Sequence, residues 1–577
     1  MRLHTASFAV FVSLTLFAPA QEWRPEKVHD CGLEFDAPSR LERLPMQLGE
    51  QGPYHRARLR PKDNADFVRA QYYWNCDVYS FAKKDSKEGK DLADGLSDEA
   101  KEQLKKLLEL GSFKPARSFK DWFDQKNQKQ ITVVSPGKAR KGRGGKLDFT
   151  HWVWTEEDNY GPANLTYCEA AVYSLPDREV ALVIEMPLET RKPAVPKSKW
   201  KDIIDKMIAS GRGLDAEDSE LDTDAKRDQY ANTPDRKQAL ADARKNIQGL
   251  SGWDYFTTPN YIVLYSWDFE KKDERSRAKK DAAFYSSRLE KMRELYLSNY
   301  ELDATGLKAV MPDPKSIPSL TGPITGVPTA GTPAPASGKT AAPEDDDADP
   351  APRVATKPYS VFRLCATYDQ FQKYGESPPG VVGWYSPSSK ELVVFLGGDK
   401  MMGTGATETV TYHEGWHQYA DFYFHHPETK KYGTLHRWFD EGHGDYFGSF
   451  RWGQNGWKYV GSDMRYQDCK EMVRKGDYVP FKEIVHWSRQ RFYSGRAPYY
   501  YAQAFSMIDF LRRGQKSSGY QARWGEALEM YRRVMLVYGD SKLASDTAFR
   551  DMKDEDWKAM EDAWKAWVGS NNFMSGK

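Results

Sequence analysis

The sequence predicts an α+β protein of at least two domains, and three observations carry that expectation. The chain has 577 residues, too many for one hydrophobic core. Its first third is rich in strand-like runs of β-branched and aromatic residues, whereas its last third reads as amphipathic helices. Between them, residues 311–358 hold 11 of the 32 prolines and the acidic run Glu344-Asp345-Asp346-Asp347. That composition cannot bury enough apolar surface to order itself, so a disordered insertion is expected. The acidic run lacks the spaced ligands and glycine turn of a calcium loop. The expected architecture is an N-terminal α/β sandwich-like domain, then a domain with a small sheet and a mostly helical C-terminal half.

In chain order, residues 1–20 carry the pattern of a signal peptide. Arg2 precedes the apolar run FAVFVSLTLF, and Ala18-Pro19-Ala20 is a small-residue cleavage site. Export to a periplasm or the outside is therefore expected, with cleavage near Ala20. No later stretch is apolar for ~20 residues, so no transmembrane segment is expected in the mature chain. Cys31, Cys76, Cys168, Cys365 and Cys469 remain. None forms a CxxC pair, which argues against a cysteine zinc site. One or two structural disulfides with a thiol left over are expected. Lys+Arg 84 against Asp+Glu 83 leaves a net charge of +1. No field of that size calls for nucleic acid or an anionic membrane surface as partner.

Residues 21–212 read as one α+β unit. GLEFDAPSRL, RAQYYWNCDVYSFAK, LDFTHWVWTEED and REVALVIEMPL are strand-like. Residues 97–111 and 198–211 read as helices, each stopped by a glycine. Strands with a closing helix resemble small exported α/β/α sandwich domains of the PsbP type, a resemblance that carries no catalytic residue. GKARKGRGGK (137–146) is Gly-rich and basic but lacks the GK[ST] of a phosphate loop, so it reads as a solvated hairpin loop. Residues 213–252 read as a charged helical connector. The second domain, 253–577, opens with the strand NYIVLYSWD and a helix with Tyr285, Leu289, Met292 and Tyr296 at helical spacing. Strands return in YSVFRLCATY and GWYSPSSKELVVFLGG, and helices follow from Ala406 onward. The stripes Trp524, Ala527, Tyr531, Val534 and Trp557, Met560, Trp564, Trp567 read as core.

Chemistry concentrates in TYHEGWHQYADFYFHH (411–426), which holds four of the 11 histidines. His413 and His417 are four apart, on one face of a helix, where both imidazoles reach one ion. Glu414 adjoins the first and is placed to act as a base. Thr404 or Thr407 is a candidate cap. The same pentapeptide also suits a helix that merely exposes two histidines and a glutamate, and a third ligand separates the two readings. The metzincin pattern needs Gly and His where Ala420 and Tyr423 stand. His425 and His426 fall at the helix end on a poorly matched face. Glu441, 24 residues after His417, can return on a second, antiparallel helix. Asp445, one turn on, can accept a hydrogen bond from a ligand imidazole.

HExxH followed by Glu441 within Trp438-Phe439-x-Glu441-Gly442-x-x-x-Tyr446 resembles the gluzincin zinc metallopeptidases. The likeness is to the thermolysin-like and membrane-alanyl-aminopeptidase-like catalytic fold of exported bacterial proteins. It spans roughly 253–515, interrupted by the insertion. The resemblance implies zinc held by His413, His417 and Glu441, Glu414 as general base, and a peptide or protein substrate. It also implies that a tyrosine at the start of a later helix reaches the developing oxyanion. In APYYYAQAFSMIDFL (497–511) that role falls to Tyr501, with Tyr499 and Tyr500 as close rivals and packing as the alternative for all three. Two departures stand out. His443 and Gly444 replace an apolar residue and Ala, so that either the second helix is locally looser or His443 faces the cleft. GGDKMMGTG stands where aminopeptidases carry a Gly-rich Met-Asn segment, which puts aminopeptidase specificity in doubt. The rival functions are a catalytically silent zinc-binding scaffold and a zinc hydrolase of a non-peptide amide.

Overall fold

The structure is a computed structural model that describes residues 22–46, 54–61, 74–83, 116–157, 164–214, 227–300, 359–424 and 435–573. Within these, 127, 270, 272–273, 376, 378–379 and 388 are left out. The signal segment, the helix at 97–111, the insertion at 311–358, His425 and His426 lie outside the described residues. The chain is α+β, with a sheet-rich N-terminal region and a helical C-terminal half. It divides into two units, one largely up to residue 221 and the other largely from 222.

The first unit is built on a seven-stranded antiparallel sheet, in the order β3 (Leu41–Leu44), β4 (His55–Pro61), β5 (Asn75–Ala82), β9 (Arg178–Pro187), β8 (Leu165–Ser174), β7 (Phe149–Glu157), β6 (Ile131–Arg140). A smaller sheet joins β1 (Trp23–Val28), β2 (Leu33–Pro38) and β10 (Arg212–Gly213). Alternation puts Val78, Leu182 and Ile184 in one cluster with Leu33 and Phe35 of the small sheet and Ile204 and Met207 of helix α2 (Ser198–Ile208). Phe81, Trp154 and Val183 cluster instead with Phe119 and Phe123 of α1 (Phe119–Asp124). The hairpin loop expected at 137–146 starts later. β6 pairs with β7 as far as Arg140, through register shifts between Val133 and Lys138.

The expected disulfides do not form: all five cysteines are free and buried. Side-chain alternation explains part of this, since Cys76 packs in the first cluster and Cys168 in the second. Burial pushes the Cys31 and Cys365 thiols up to about 12, so neither is a reactive thiolate.

The second unit begins with α3 (Pro234–Ile247), within the segment expected to be a connector. Its Asn246 accepts a hydrogen bond from the buried Arg363, which is also paired with Glu391 at 2.9 Å. The five-stranded sheet runs β11 (Trp253–Thr257), β12 (Tyr261–Ser266), β13 (Ser360–Cys365), β15 (Glu391–Phe395), β14 (Gly383–Ser386). β12, β13 and β15 are parallel, and the antiparallel β14 forms one edge. Strands covered on both faces are buried at every position, as β12 and β13 are, and the one charge in β13, Arg363, is paired. One cover is α4 (Glu274–Asn299), whose Ala278, Ala282 and Leu289 cluster with Val263, Phe362 and Leu392. The other is α5 (Tyr368–Gly375), with Phe371 and Tyr374 against Val393.

After a short α6 (Gly398–Met402) come α7 (Ala406–Tyr423) and α8 (Arg437–Gly448). The hairpin β16 (Phe450–Gly453) and β17 (Gly456–Tyr459) then interrupts the expected run of helices. The rest is α9 (Asp463–Lys475), α10 (Phe481–Ile484), α11 (Arg489–Phe492), α12 (Ala497–Arg513), α13 (Ala522–Tyr538), α14 (Ser541–Ala548) and α15 (Asp554–Gly569). The aromatic stripes of α13 and α15 are buried in one cluster with Trp438, Phe505 and Ile508. Among the described residues, no helix is long and apolar enough to cross a membrane.

Candidate metal centre

α7 is fixed before it offers any ligand. Its Tyr412, Trp416, Tyr419 and Tyr423 pack in one cluster with Met292, Tyr296 and Tyr300 at the end of α4. Tyr296 donates its hydroxyl to the Tyr412 carbonyl at 2.6 Å. Gly415 permits this approach: a Cβ there would lie 2.8 Å from Leu289 Cδ1. The helix start is not capped by Thr404 or Thr407. Asp399 of α6 does it, accepting from the Gly405 and Thr407 backbone amides at 3.1 and 2.8 Å.

The face opposite this packing carries His413, Glu414 and His417 into a cleft of about 550 Å³. α8 runs beside α7 and brings Glu441 to the two imidazoles. His413 Nε2, His417 Nε2 and Glu441 Oε2 form a triangle with sides of 3.1, 3.2 and 3.2 Å. Ligand atoms about 2.0–2.2 Å from a tetrahedral ion lie about 3.3–3.6 Å apart, so one small divalent cation fits between these three with a slight opening of the triangle. Among the described residues the group numbers three ligands.

The two rings are aimed from behind. His413 Nδ1 is 3.0 Å from Asp445 Oδ1, and His417 Nδ1 is 2.8 Å from Asp440 Oδ1. Each aspartate is itself held by an arginine: Arg465 Nε donates to Asp445 Oδ2 at 2.7 Å, and Arg437 Nη1 to Asp440 Oδ2 at 2.6 Å. A proton kept on Nδ1 leaves Nε2 to face the ion. The chemistry of the donor set draws positive charge. Burial disfavours it at His413, but Asp445 and Glu441 outweigh burial and raise that imidazole to about 9. Burial likewise opposes ionisation of Glu441, yet His417 and His413 hold its carboxyl well below the usual range. A divalent cation meets the same demand and displaces the protons.

Glu414 lines the cleft without being one of the three ligands. Burial pushes its carboxyl up, more than His413 and His417 pull it down. Of the three tyrosines opening α12, Tyr501 alone lines the cleft. Its ring lies 6.4 Å from that of His413.

Sequence reasoning missed four groups. Asp440 and Arg437 are local to α8, and the signal available was an Arg-x-x-Asp directly before Glu441. Tyr493, whose hydroxyl donates to Glu441 Oε1, and Arg465 come from distant segments with no local signature. His443 corrects an expectation: it does not face the cleft. It is fully buried, bonded through Nδ1 to the Phe439 carbonyl at 2.7 Å and through Nε2 to the Tyr300 hydroxyl, and its ring stacks on Trp416. Burial, with Arg512 nearby, holds it well below the usual histidine range, so it stays neutral.

Gly444 has a reason the structure makes plain. A Cβ there would sit 2.8–3.0 Å from three ring atoms of His413. Such contacts force the ring or the helix to shift. Gly444→Ala should therefore weaken metal binding by about 10–100-fold, the usual cost of disturbing a ligand's support. Competition with a chromogenic chelator measures it. Unchanged affinity would mean the ring gives way freely and the glycine is not needed.

No protein-family model matches this chain, and no curated protein shows significant similarity to it.

Proposed function

We propose that the chain is an exported zinc-dependent peptidase that hydrolyses peptide bonds with an activated water. The observation that carries this reading is the triangle of His413, His417 and Glu441 with a non-ligand carboxylate, Glu414, on the same helix face and in the same cleft. Two imidazoles and one carboxylate match the donor set of catalytic zinc sites, which keep a fourth position for water or substrate. Structural zinc sites fill that position with a fourth protein ligand, usually sulfur or imidazole. When bound, the zinc polarises the scissile carbonyl and acidifies a water.

The remaining work falls to the protein. Glu414 removes a proton from the attacking water and delivers it to the leaving nitrogen. A carboxyl raised by burial is better matched to both transfers than a solvated one. Tyr501 donates a hydrogen bond to the oxygen that becomes negative. Asp440 and Asp445 hold the imidazoles still, so that no reorganisation is needed as charge develops. A peptide substrate is favoured over another amide because Gly383, Trp384 and Tyr385 of the edge strand β14 form one wall of the cleft. A groove beside an extended strand suits an extended chain.

The test is metal removal. The purified chain should cleave a fluorogenic peptide mixture, lose that activity in a chelator and regain it with zinc. A metal-loaded chain that cleaves nothing would favour the silent scaffold. Cleavage undiminished by complete metal removal would reject the mechanism.

A further inference from the structure

We infer that the cleft carries a carboxylate subsite centred on Arg489, so that preferred substrates present an acidic side chain or a free C-terminal carboxylate there. The inference rests on the peptidase reading for its reaction, but the subsite itself can be tested by binding alone.

Three guanidinium groups line the cleft: Arg437, Arg465 and Arg489. Two are committed. Arg437 donates to Asp440 and Arg465 to Asp445, and both aspartates orient ligand imidazoles. Arg489, on α11, has no carboxylate partner among the described residues and is exposed. It is still placed. Its Cζ lies 5.7 Å from the centroid of the Tyr493 ring, within the range where a cation is attracted to an aromatic face. The same ring has Arg437 Cζ at 5.7 Å, and its hydroxyl donates to Glu441. One aromatic ring thus links Arg489 to the metal-ligand carboxylate.

A guanidinium is permanently charged, and its planar fork of donors matches a carboxylate in bidentate geometry. Every other cation lining the cleft has its counter-charge from the protein, so Arg489 is where a substrate can supply one. An extended peptide advances about 3.3–3.6 Å per residue, so a group one ring away from Glu441 stands beside a residue one to three places from the scissile bond. A lysine in that place would meet like charge, which adds discrimination by repulsion.

The experiment uses the full chain, its Arg489→Gln and Arg489→Glu variants, and one cleaved fluorogenic peptide remade in series. Each member carries Glu, Gln or Lys at one position from three before to three after the cleaved bond, and ends as acid or amide. The native chain should prefer Glu over Gln, or acid over amide, by at least about tenfold in kcat/KM at one position, as expected for hydrogen bonding to a charged group. Arg489→Gln should bring that ratio close to one, and Arg489→Glu should turn the preference toward Lys. The Glu/Gln series and the acid/amide pair tell side chain from terminus. Equal rates in the native chain, or a preference that survives Arg489→Gln, would overturn the subsite while leaving the peptidase reading intact. If nothing is cleaved, the peptidase reading fails separately. Fluorescence anisotropy of the Glu and Gln peptides on Glu414→Gln protein then decides: an Arg489-dependent preference sustains the subsite, and equal binding overturns it.

Discussion

Glu414→Gln should keep the metal and the fold yet lose about 10²–10⁴-fold in hydrolysis, the usual contribution of a positioned acid–base group. The amide is nearly isosteric and can still accept the hydrogen bond that the Tyr385 backbone amide gives the carboxylate. What it cannot do is hold a proton taken from water at neutral pH. Glu414 is not one of the three ligand groups, so zinc content by atomic emission should stay at about one per chain. His413→Ala combined with His417→Ala provides the contrast, because it removes two of three ligands and should empty the site. A Glu414→Gln protein with parental kcat/KM and equal metal would place the base elsewhere.

The pairing of His413 and His417 is legible in spacing because it depends on one helical period, and Glu441 is legible as a candidate on a returning helix, to which the gluzincin resemblance gives the ligand role. Asp445 is legible for the same reason, one turn beyond Glu441. Asp440 escapes because its role depends on which side of α8 meets His417, and sequence spacing does not give that angle. Tyr493 and Arg465 escape for a stronger reason. They reach the cleft from segments whose approach is decided by packing of the helical half. His443 shows the converse failure. A histidine beside a ligand reads as part of the site, but here one local group, the Phe439 carbonyl, and one distant in sequence, the Tyr300 hydroxyl, satisfy it inside the core.

In the fold, the alternating and apolar runs mark most strands, whereas α2 ends at Ile208 with Ala209 as its C-cap, three residues short of the expected stop at Gly211. The hairpin at 450–459 is hard to read although Asn455-Gly456 is a turn signal, because its strands are only four residues each. Asp399 is not legible as the cap of α7 because it acts from the preceding helix, outside the residues adjoining the helix start. Cysteine count alone suggested disulfides. Position decides otherwise for one possible pair: Cys76 and Cys168 pack on opposite faces of the large sheet and cannot meet.

Tyr501→Phe should lower turnover by roughly 10²–10³-fold, equivalent to about 2.7–4 kcal/mol of barrier, while leaving zinc content unchanged. Successive helical residues point about 100° apart, so only one of Tyr499, Tyr500 and Tyr501 can face the metal group. Tyr500 packs against Trp487 and Phe492, with ring centroids 5.0 and 6.1 Å away, and Tyr499 lies under Arg496 at 4.2 Å. Tyr501 is left facing the cleft, steadied by Arg465 5.0 Å from its ring. Burial and then the charge of Glu441 push its phenol well above the ordinary tyrosine value, so it stays protonated and able to donate at any working pH. The bond it gives strengthens only as the carbonyl oxygen gains charge, so the loss should fall on kcat more than on ground-state binding. Tyr493 is the internal control. Its hydroxyl is already committed to Glu441 Oε1, so Tyr493→Phe should act chiefly on metal affinity. If the large loss in kcat follows Tyr493 while Tyr501→Phe is silent, the oxyanion donor is Tyr493. If Tyr501→Phe sheds zinc, the phenol supports the ligands and does not touch the reacting oxygen.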